Sequence, residues 1–131
     1  MLRKVASGLF LLTSVLIGIG SLGHAYQSRL LGRLRGDLRP ELFELVQFVW
    51  LWASGAMAVF SALLLWSWWH IRRGDRSIGP APWLIGTFYL VAGICGLHYV
   101  GAFFSLFIVL GATLCAATWC LSRGAIEGGF R

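Results

Sequence analysis

The chain has 131 residues, of which 58% are hydrophobic and 12% are charged, and its formal net charge is +6. Soluble domains carry about 25% charged residues, so this composition excludes an ordinary soluble protein. The arginines stand beside apolar runs and do not line a soluble face. The positive charge therefore indicates the headgroups of a lipid bilayer as partner, and no nucleic acid.

Charged residues are missing from three stretches, 5–28, 45–71 and 77–122. A helix that crosses a bilayer needs about 20 apolar residues. The first two stretches can hold one crossing each, and the third is long enough for two. The sequence therefore predicts an all-α integral membrane four-helix bundle, a single transmembrane domain over 1–131. Its helices are expected at about 5–25, 41–70, 83–99 and 103–121.

The first apolar run ends in the glycine-rich stretch Gly18-Ile-Gly-Ser-Leu-Gly-His24, which is followed by Tyr26. A cleaved signal peptide is an alternative, because Gly23 and Ala25 are small residues at the spacing that signal peptidase reads. A similar stretch occurs deep in the chain, where no leader peptide would stand. This similarity favours a first membrane helix.

An arginine-rich segment over about 27–39 follows, with leucines between its basic residues. This pattern is typical of an amphipathic segment that lies in the membrane interface. Gly36 and Asp37 interrupt it. Pro40, with Glu41 and Glu44 behind it, then favours the start of the second helix, because carboxylates stabilise the positive end of a helix dipole.

Tryptophans lie at both ends of the second helix. Trp50 and Trp68 are separated by about 27 Å at the rise of an α-helix, which matches one hydrocarbon core. Small residues also recur at helical spacing, and in membranes such rows mark close helix contacts. The rows are Ser54, Ala58 and Ala62; Ala92 and Gly96; Gly111 and Cys115; and Ala112 and Ala116.

The third run contains the second glycine-rich stretch, Gly93-Ile-Cys-Gly-Leu-His98-Tyr99. Like the first, it ends in a histidine near a tyrosine, which suggests an internal repeat of two helix pairs. The turn between the third and fourth helices is expected between Tyr99 and Phe103. Seven basic residues would then lie on one side of the membrane and four on the other, which predicts cytoplasmic termini.

This topology brings His24 and His98 to the same, outer face of the membrane. The side chains expected to share a polar pocket with them are Tyr26, Asp37, Glu41, Glu44 and Tyr99. Two imidazoles could hold a haem or a quinone there, and ionisable groups at membrane depth are often functional. The alternative is that both histidines are interfacial or structural and bond headgroups, water or the last carbonyls of their own helices. No catalytic residue and no metal ligand set is predicted, and the cofactor is unknown.

The first predicted helix is rich in glycine, with Gly18 and Gly20, and ends in Leu22-Gly23-His24. A basic loop follows it. In this layout the chain resembles the short four-helix bacterial inner-membrane proteins of the DoxX-like type. The resemblance implies the bacterial inner membrane, and some members are linked to quinone or terminal-oxidase complexes. The resemblance assigns no functional role to any residue of this sequence.

The sequence thus predicts a non-enzymatic accessory or interaction subunit of the inner membrane, with a polar pocket at the outer face. Another membrane protein or a second copy of the chain would be its partner. One alternative is a redox-associated protein that binds quinone or haem between His24 and His98. Another is a small-molecule permease, which would need a water-accessible path through the helices.

Overall fold

A computed structural model describes residues 1–73 and 79–127, without the side chains of residues 34 and 124–127. Within these residues the chain is built from helices and contains no strand. The α-helices are α1 (Leu2–Leu31), α2 (Pro40–Arg72), α3 (Ala81–Tyr99) and α4 (Ser105–Glu127). The predicted all-α, four-helix fold class is confirmed.

Four segments of the described chain are long and apolar enough to cross a membrane, namely Leu2–Leu31, Pro40–Arg72, Ala81–Tyr99 and Ala102–Arg123. The shortest has 19 residues and spans about 28 Å as a helix, close to the thickness of a hydrocarbon core. The protein is therefore a multi-pass membrane protein, as predicted. Arg76 and Arg131, which enter the count of basic residues, lie outside the described residues.

The first helix is longer than the predicted 5–25. It has 30 residues and continues past Tyr26 to Leu31, because neither glycine nor proline stands between Ala25 and Leu31 to stop it. A 3-10 turn, Gly32–Leu34, and the non-helical residues 35–39 come next. The segment predicted as one amphipathic piece over 27–39 is thus divided between the end of α1 and a loop.

The second helix begins at Pro40, one residue before the predicted start. The Phe43 amide donates to the Arg39 carbonyl at 3.0 Å and closes the first turn, where Pro40 itself has no amide to satisfy. The Arg35 guanidinium lies 5.8 Å from the centroid of the Phe43 ring. The loop before α2 is therefore held to the start of the helix by its own side chain.

The connection between α3 and α4 turns on Gly101. Its φ of 133° and ψ of −173° belong to a region that only glycine occupies readily. The Gly101 amide donates to the Gly96 carbonyl at 3.1 Å, and a 3-10 turn, Ala102–Phe104, leads into α4. This tight link brings α4 back along α3 within a few residues.

The chain divides into two compact units. One is Val15–Ala62, which contains the second half of α1 and most of α2. The other combines Met1–Ser14 with Leu63–Arg131, as far as these residues are described. The units are named here the 15–62 unit and the terminal unit. The single domain predicted over 1–131 stays a prediction.

The core of the terminal unit is apolar and closely packed. The side chains of Phe10, Leu64 and Leu114 are fully buried. Two hydroxyls inside it bond their own helices, since Ser14 donates to the Phe10 carbonyl and Thr118 to the Leu114 carbonyl, both at 2.7 Å. These two hydroxyls are thus satisfied within their own helices, where a bilayer offers no water.

Candidate functional site

His24 lies on α1 and is held against α2 inside the 15–62 unit. Its imidazole stacks on the Trp50 indole, with ring centroids 4.9 Å apart and planes inclined by 21°. The Trp50 Nε1–H donates to the His24 backbone carbonyl at 2.9 Å. Trp50 therefore contacts both the ring and the backbone of this histidine.

The imidazole of His24 also bonds its own helix. Its Nδ1 lies 3.2 Å from the Gly20 carbonyl oxygen. Because a carbonyl oxygen only accepts, Nδ1 carries the proton in this bond. The Gly20 carbonyl belongs to the same helix, but α1 continues to Leu31, so it is not one of the last carbonyls that the structural alternative names. That alternative stays a prediction.

Ser21 and Ser54 form a reciprocal pair of hydrogen bonds between α1 and α2. The Ser21 hydroxyl donates to the Ser54 carbonyl at 2.9 Å, and the Ser54 hydroxyl donates to the Ser21 carbonyl at 2.8 Å. Both residues are buried. Hydrogen bonds of this kind hold membrane helices together, because the surrounding lipid offers no competing water.

Two glycines let α1 approach α2 this closely. A methyl group at Gly18 would lie 2.7 Å from the Ser61 Oγ, and one at Gly20 would lie 2.7 Å from the Met57 Cε. Both clashes involve the ends of side chains. The α1–α2 contact is defined by Gly18, Gly20, Ser21 and His24 on α1 and by Trp50, Ser54, Met57 and Ser61 on α2.

The second glycine-rich stretch contacts α4 through backbone atoms. A methyl group at Gly93 would lie 2.7 Å from the Ile108 backbone nitrogen, and one at Gly96 would overlap the Phe104 ring. From the other side, a methyl group at Gly111 would lie 2.6 Å from the Leu90 nitrogen. The α3–α4 contact is defined by Gly86, Tyr89, Leu90, Gly93 and Gly96 on α3, by Phe104 in the 3-10 turn, and by Phe107, Ile108 and Gly111 on α4.

His98 differs from His24 in its surroundings. It lies in the last turn of α3 and is exposed. Its ring meets the neighbouring Tyr99 ring edge-on, with centroids 4.7 Å apart. His98 belongs to the terminal unit and His24 to the 15–62 unit, so the pocket predicted between them stays a prediction.

The other residues predicted for the outer-face pocket have exposed side chains. Tyr26 is 64% exposed and Tyr99 is 82% exposed. Asp37, Glu41 and Glu44 are exposed as well. Among the described residues, no group of three or more histidines, cysteines and carboxylates is placed to hold a metal ion.

Sequence reasoning missed the partner of His24. The tryptophan pattern predicted only that Trp50 lies at the membrane interface. It did not use the fact that His24 and Trp50 are equally far from Asp37 in the sequence. In an antiparallel helix pair, residues equally distant from the turn come to lie opposite each other. Counting residues outward from the Gly36-Asp37 break in both directions would therefore have predicted the contact of His24 with Trp50. The same count places Ser21 opposite Ser54 to within one residue.

Tyr89 is a buried polar residue that no sequence pattern singled out. It is 1% exposed, and its ring stacks on Phe107 with centroids 5.4 Å apart. Its hydroxyl is buried and has no hydrogen-bond partner among the described residues. The α3–α4 contact thus contains one unpaired hydroxyl, whereas Ser21 and Ser54 are both paired in the α1–α2 contact.

No protein-family model, no curated protein and no solved structure matches this chain. The resemblance to DoxX-like proteins is therefore untested. It stays a prediction that rests on the helix layout and on the glycine-rich stretch before His24.

Proposed function

We propose that this multi-pass membrane protein is a non-enzymatic subunit that associates through α2 with another membrane protein or with a second copy. One observation carries the proposal. Gly55, Ala58 and Ala62 form a row of small residues at helical spacing on α2, and all three are exposed. A methyl group added at Gly55 would meet nothing within 4 Å.

The same helix shows that small residues serve packing in this protein. Ser54, next to Gly55, is buried in the α1–α2 contact and bonds Ser21. The predicted row of Ser54, Ala58 and Ala62 is therefore split, because Ser54 faces α1 while the two alanines face outward. Small residues that face outward permit close approach of a further helix.

Large side chains stand beside the outward row. Trp52 and Val59 are both more than half exposed and lie seven residues apart. A groove of small residues next to a ridge of large ones is the surface that a second helix packs into. Its occupant would be apolar, because the row and the ridge carry no charge.

Energy transfer between labelled copies in lipid vesicles, together with cross-linking in native membranes, tests this proposal. Ala58→Leu should reduce the energy transfer, or the cross-link to the partner, several-fold by filling the row. The matched control is Ala112→Leu, an exposed alanine on α4. Equal effects of both substitutions, or no proximity signal in either assay, would contradict association through α2.

We further propose that the protein lies in the bacterial inner membrane and that both of its termini face the cytoplasm. The excess of basic residues near the predicted cytoplasmic helix ends supports this orientation. The resemblance to DoxX-like proteins supports the same membrane. Reporter fusions at each terminus test the orientation directly, and opposite compartments for the two termini would contradict it.

Binding of haem or quinone at His24 and His98 is the second candidate. It is favoured by the hydrogen bond from His24 Nδ1–H to the Gly20 carbonyl, since ligating histidines are commonly oriented by such a bond. The absorption spectrum of the protein purified in detergent and supplied with haem tests it. A Soret shift that is lost in both His24→Ala and His98→Ala supports this function, and an unchanged spectrum contradicts haem binding.

A further inference from the structure

An open groove of about 710 Å³ lies in the terminal unit. The start of α1, the end of α2 and Leu121 of α4 form its walls. Ile71 and Leu121, which are 8% and 2% exposed, lie at its base. The groove is therefore a surface feature with a packed apolar floor.

Three cationic side chains line the groove. Arg3 and Lys4 come from the first turn of α1, and Arg72 is the last residue of α2. All three are exposed, and none of the described residues that line the groove is acidic. The cluster therefore attracts an anion, and phosphate oxygens suit a guanidinium group because it can donate two parallel hydrogen bonds.

The lining changes from charged to apolar along α1. Leu11 lies two helical turns beyond Lys4, or about 10 Å along the axis, and it faces the same groove as Leu121. A free phosphate ion would leave this apolar part uncovered. A molecule with an anionic head and a hydrocarbon chain matches both parts.

Trp68 forms a fixed wall between the two parts. Its Nε1–H donates to the Ser7 hydroxyl at 3.1 Å, and the Arg72 guanidinium lies 5.2 Å from the centroid of its ring. The indole thus holds Arg72 beside the groove, while its ring adds apolar surface at the depth where tryptophan meets lipid headgroups.

Gly8 keeps the groove open. A methyl group added there would meet no atom within 4 Å, so a side chain at this position would project into free space. Because Gly8 lines the groove, a larger residue would occupy the room available to a hydrocarbon chain.

We propose that this groove binds one acidic phospholipid, with its phosphate between Arg3, Lys4 and Arg72 and an acyl chain along Leu11 and Leu121. Basic pockets between membrane helices bind anionic headgroups in this way. The inference is independent of the partner proposed for α2, since no groove residue belongs to that row.

Native mass spectrometry of the delipidated full chain tests the proposal by titration with phosphatidylglycerol and with phosphatidylcholine of the same chains. One phosphatidylglycerol should be retained at least tenfold more tightly than phosphatidylcholine. Each of Arg3→Gln, Lys4→Gln and Arg72→Gln should weaken retention about fivefold, the effect expected for one basic residue near a headgroup. The control Arg29→Gln removes a cation outside the groove and should change nothing.

Shape is tested separately from charge. Gly8→Leu should abolish retention although every cation remains, and Gly23→Leu is its matched control, since Gly23 is also an open position on α1. Circular dichroism confirms that each variant is folded. Equal retention of the two lipids, or wild-type retention by Gly8→Leu, would overturn the proposal. Displacement of the lipid by an equal concentration of inorganic phosphate would overturn it in favour of a free-anion site.

Discussion

The two glycine-rich stretches that look alike in sequence make different contacts. The first, which ends in His24, meets α2 through hydrogen bonds of Ser21, Ser54 and Trp50. The second, which ends in His98, makes its contact through Gly93, which lies against the Ile108 backbone, and through Gly96, which lies against the Phe104 ring. The same composition therefore serves a hydrogen-bonded contact in one helix pair and a van der Waals contact in the other.

The length of the connection accounts for much of this difference. Residues 32–39 separate α1 from α2, whereas Gly101 turns the chain from α3 toward α4 within a few residues. A tight turn brings the two helices close together directly after the turn. Only glycine then leaves room for the backbone of the opposite helix. After a longer loop, directional hydrogen bonds can hold the register of the pair instead.

The histidines differ for the same reason. Trp50 comes from the far side of the α1–α2 loop and covers His24. The α3 chain turns three residues beyond His98, and the His98 ring meets only its neighbour Tyr99 among the ring contacts of the described residues. A histidine at the end of an apolar run is therefore covered or exposed according to the residues that the next helix places opposite it.

The largest effect is expected from Gly111→Ala in the α3–α4 contact. The new methyl group would lie 2.6 Å from the Leu90 nitrogen and 2.7 Å from the Gly86 carbonyl oxygen, and backbone atoms cannot move aside. Overpacking of this kind typically costs about 1–3 kcal/mol of the free energy of unfolding. Titration with sodium dodecyl sulfate, monitored by circular dichroism, measures it.

The control for Gly111→Ala is Gly23→Ala, where a methyl group meets nothing within 4 Å. Alanine favours helix over glycine, so this variant should be at least as stable as the wild type. If both variants lost the same stability, the α3–α4 contact would not depend on close backbone approach.

Tyr89→Phe should increase the free energy of unfolding, whereas Gly111→Ala lowers it. It removes a buried hydroxyl that has no partner among the described residues and keeps the stacked ring. A gain of about 1 kcal/mol in the free energy of unfolding is expected, because an unsatisfied buried hydroxyl is unfavourable. Tyr99→Phe, at an exposed ring, is the control and should change nothing. A loss of stability in Tyr89→Phe would show that the hydroxyl is bonded.

The smallest effects are expected in the α1–α2 contact. Ser21→Ala and Ser54→Ala each remove one donor and leave the other bond intact, so each should lose about 0.6 kcal/mol of the free energy of unfolding. The double variant should lose about the sum. Ser67→Ala, whose hydroxyl bonds Leu63 in its own helix, is the control. If the double variant were as stable as either single variant, the two hydrogen bonds would not be independent.

Much of the fold could be predicted from the sequence, and little of the site. The absence of charge from 5–28, 45–71 and 77–122 was enough to place four membrane helices, because a bilayer excludes charge over a known thickness. The end of α1 was less predictable. Its apolar run stops near Tyr26, but helical hydrogen bonds continue to Leu31 since no residue breaks them.

The sequence alone determined that this chain is an all-α membrane protein, because burial in lipid depends on composition and length that can be read residue by residue. Only the tertiary structure decided that His24 stacks on Trp50, that Ser21 pairs with Ser54, and which glycines meet backbone and which meet open space. These contacts depend on the rotation of each helix about its axis and on the turn between helices. A shift of one residue changes them all while leaving the hydropathy of the segment unchanged.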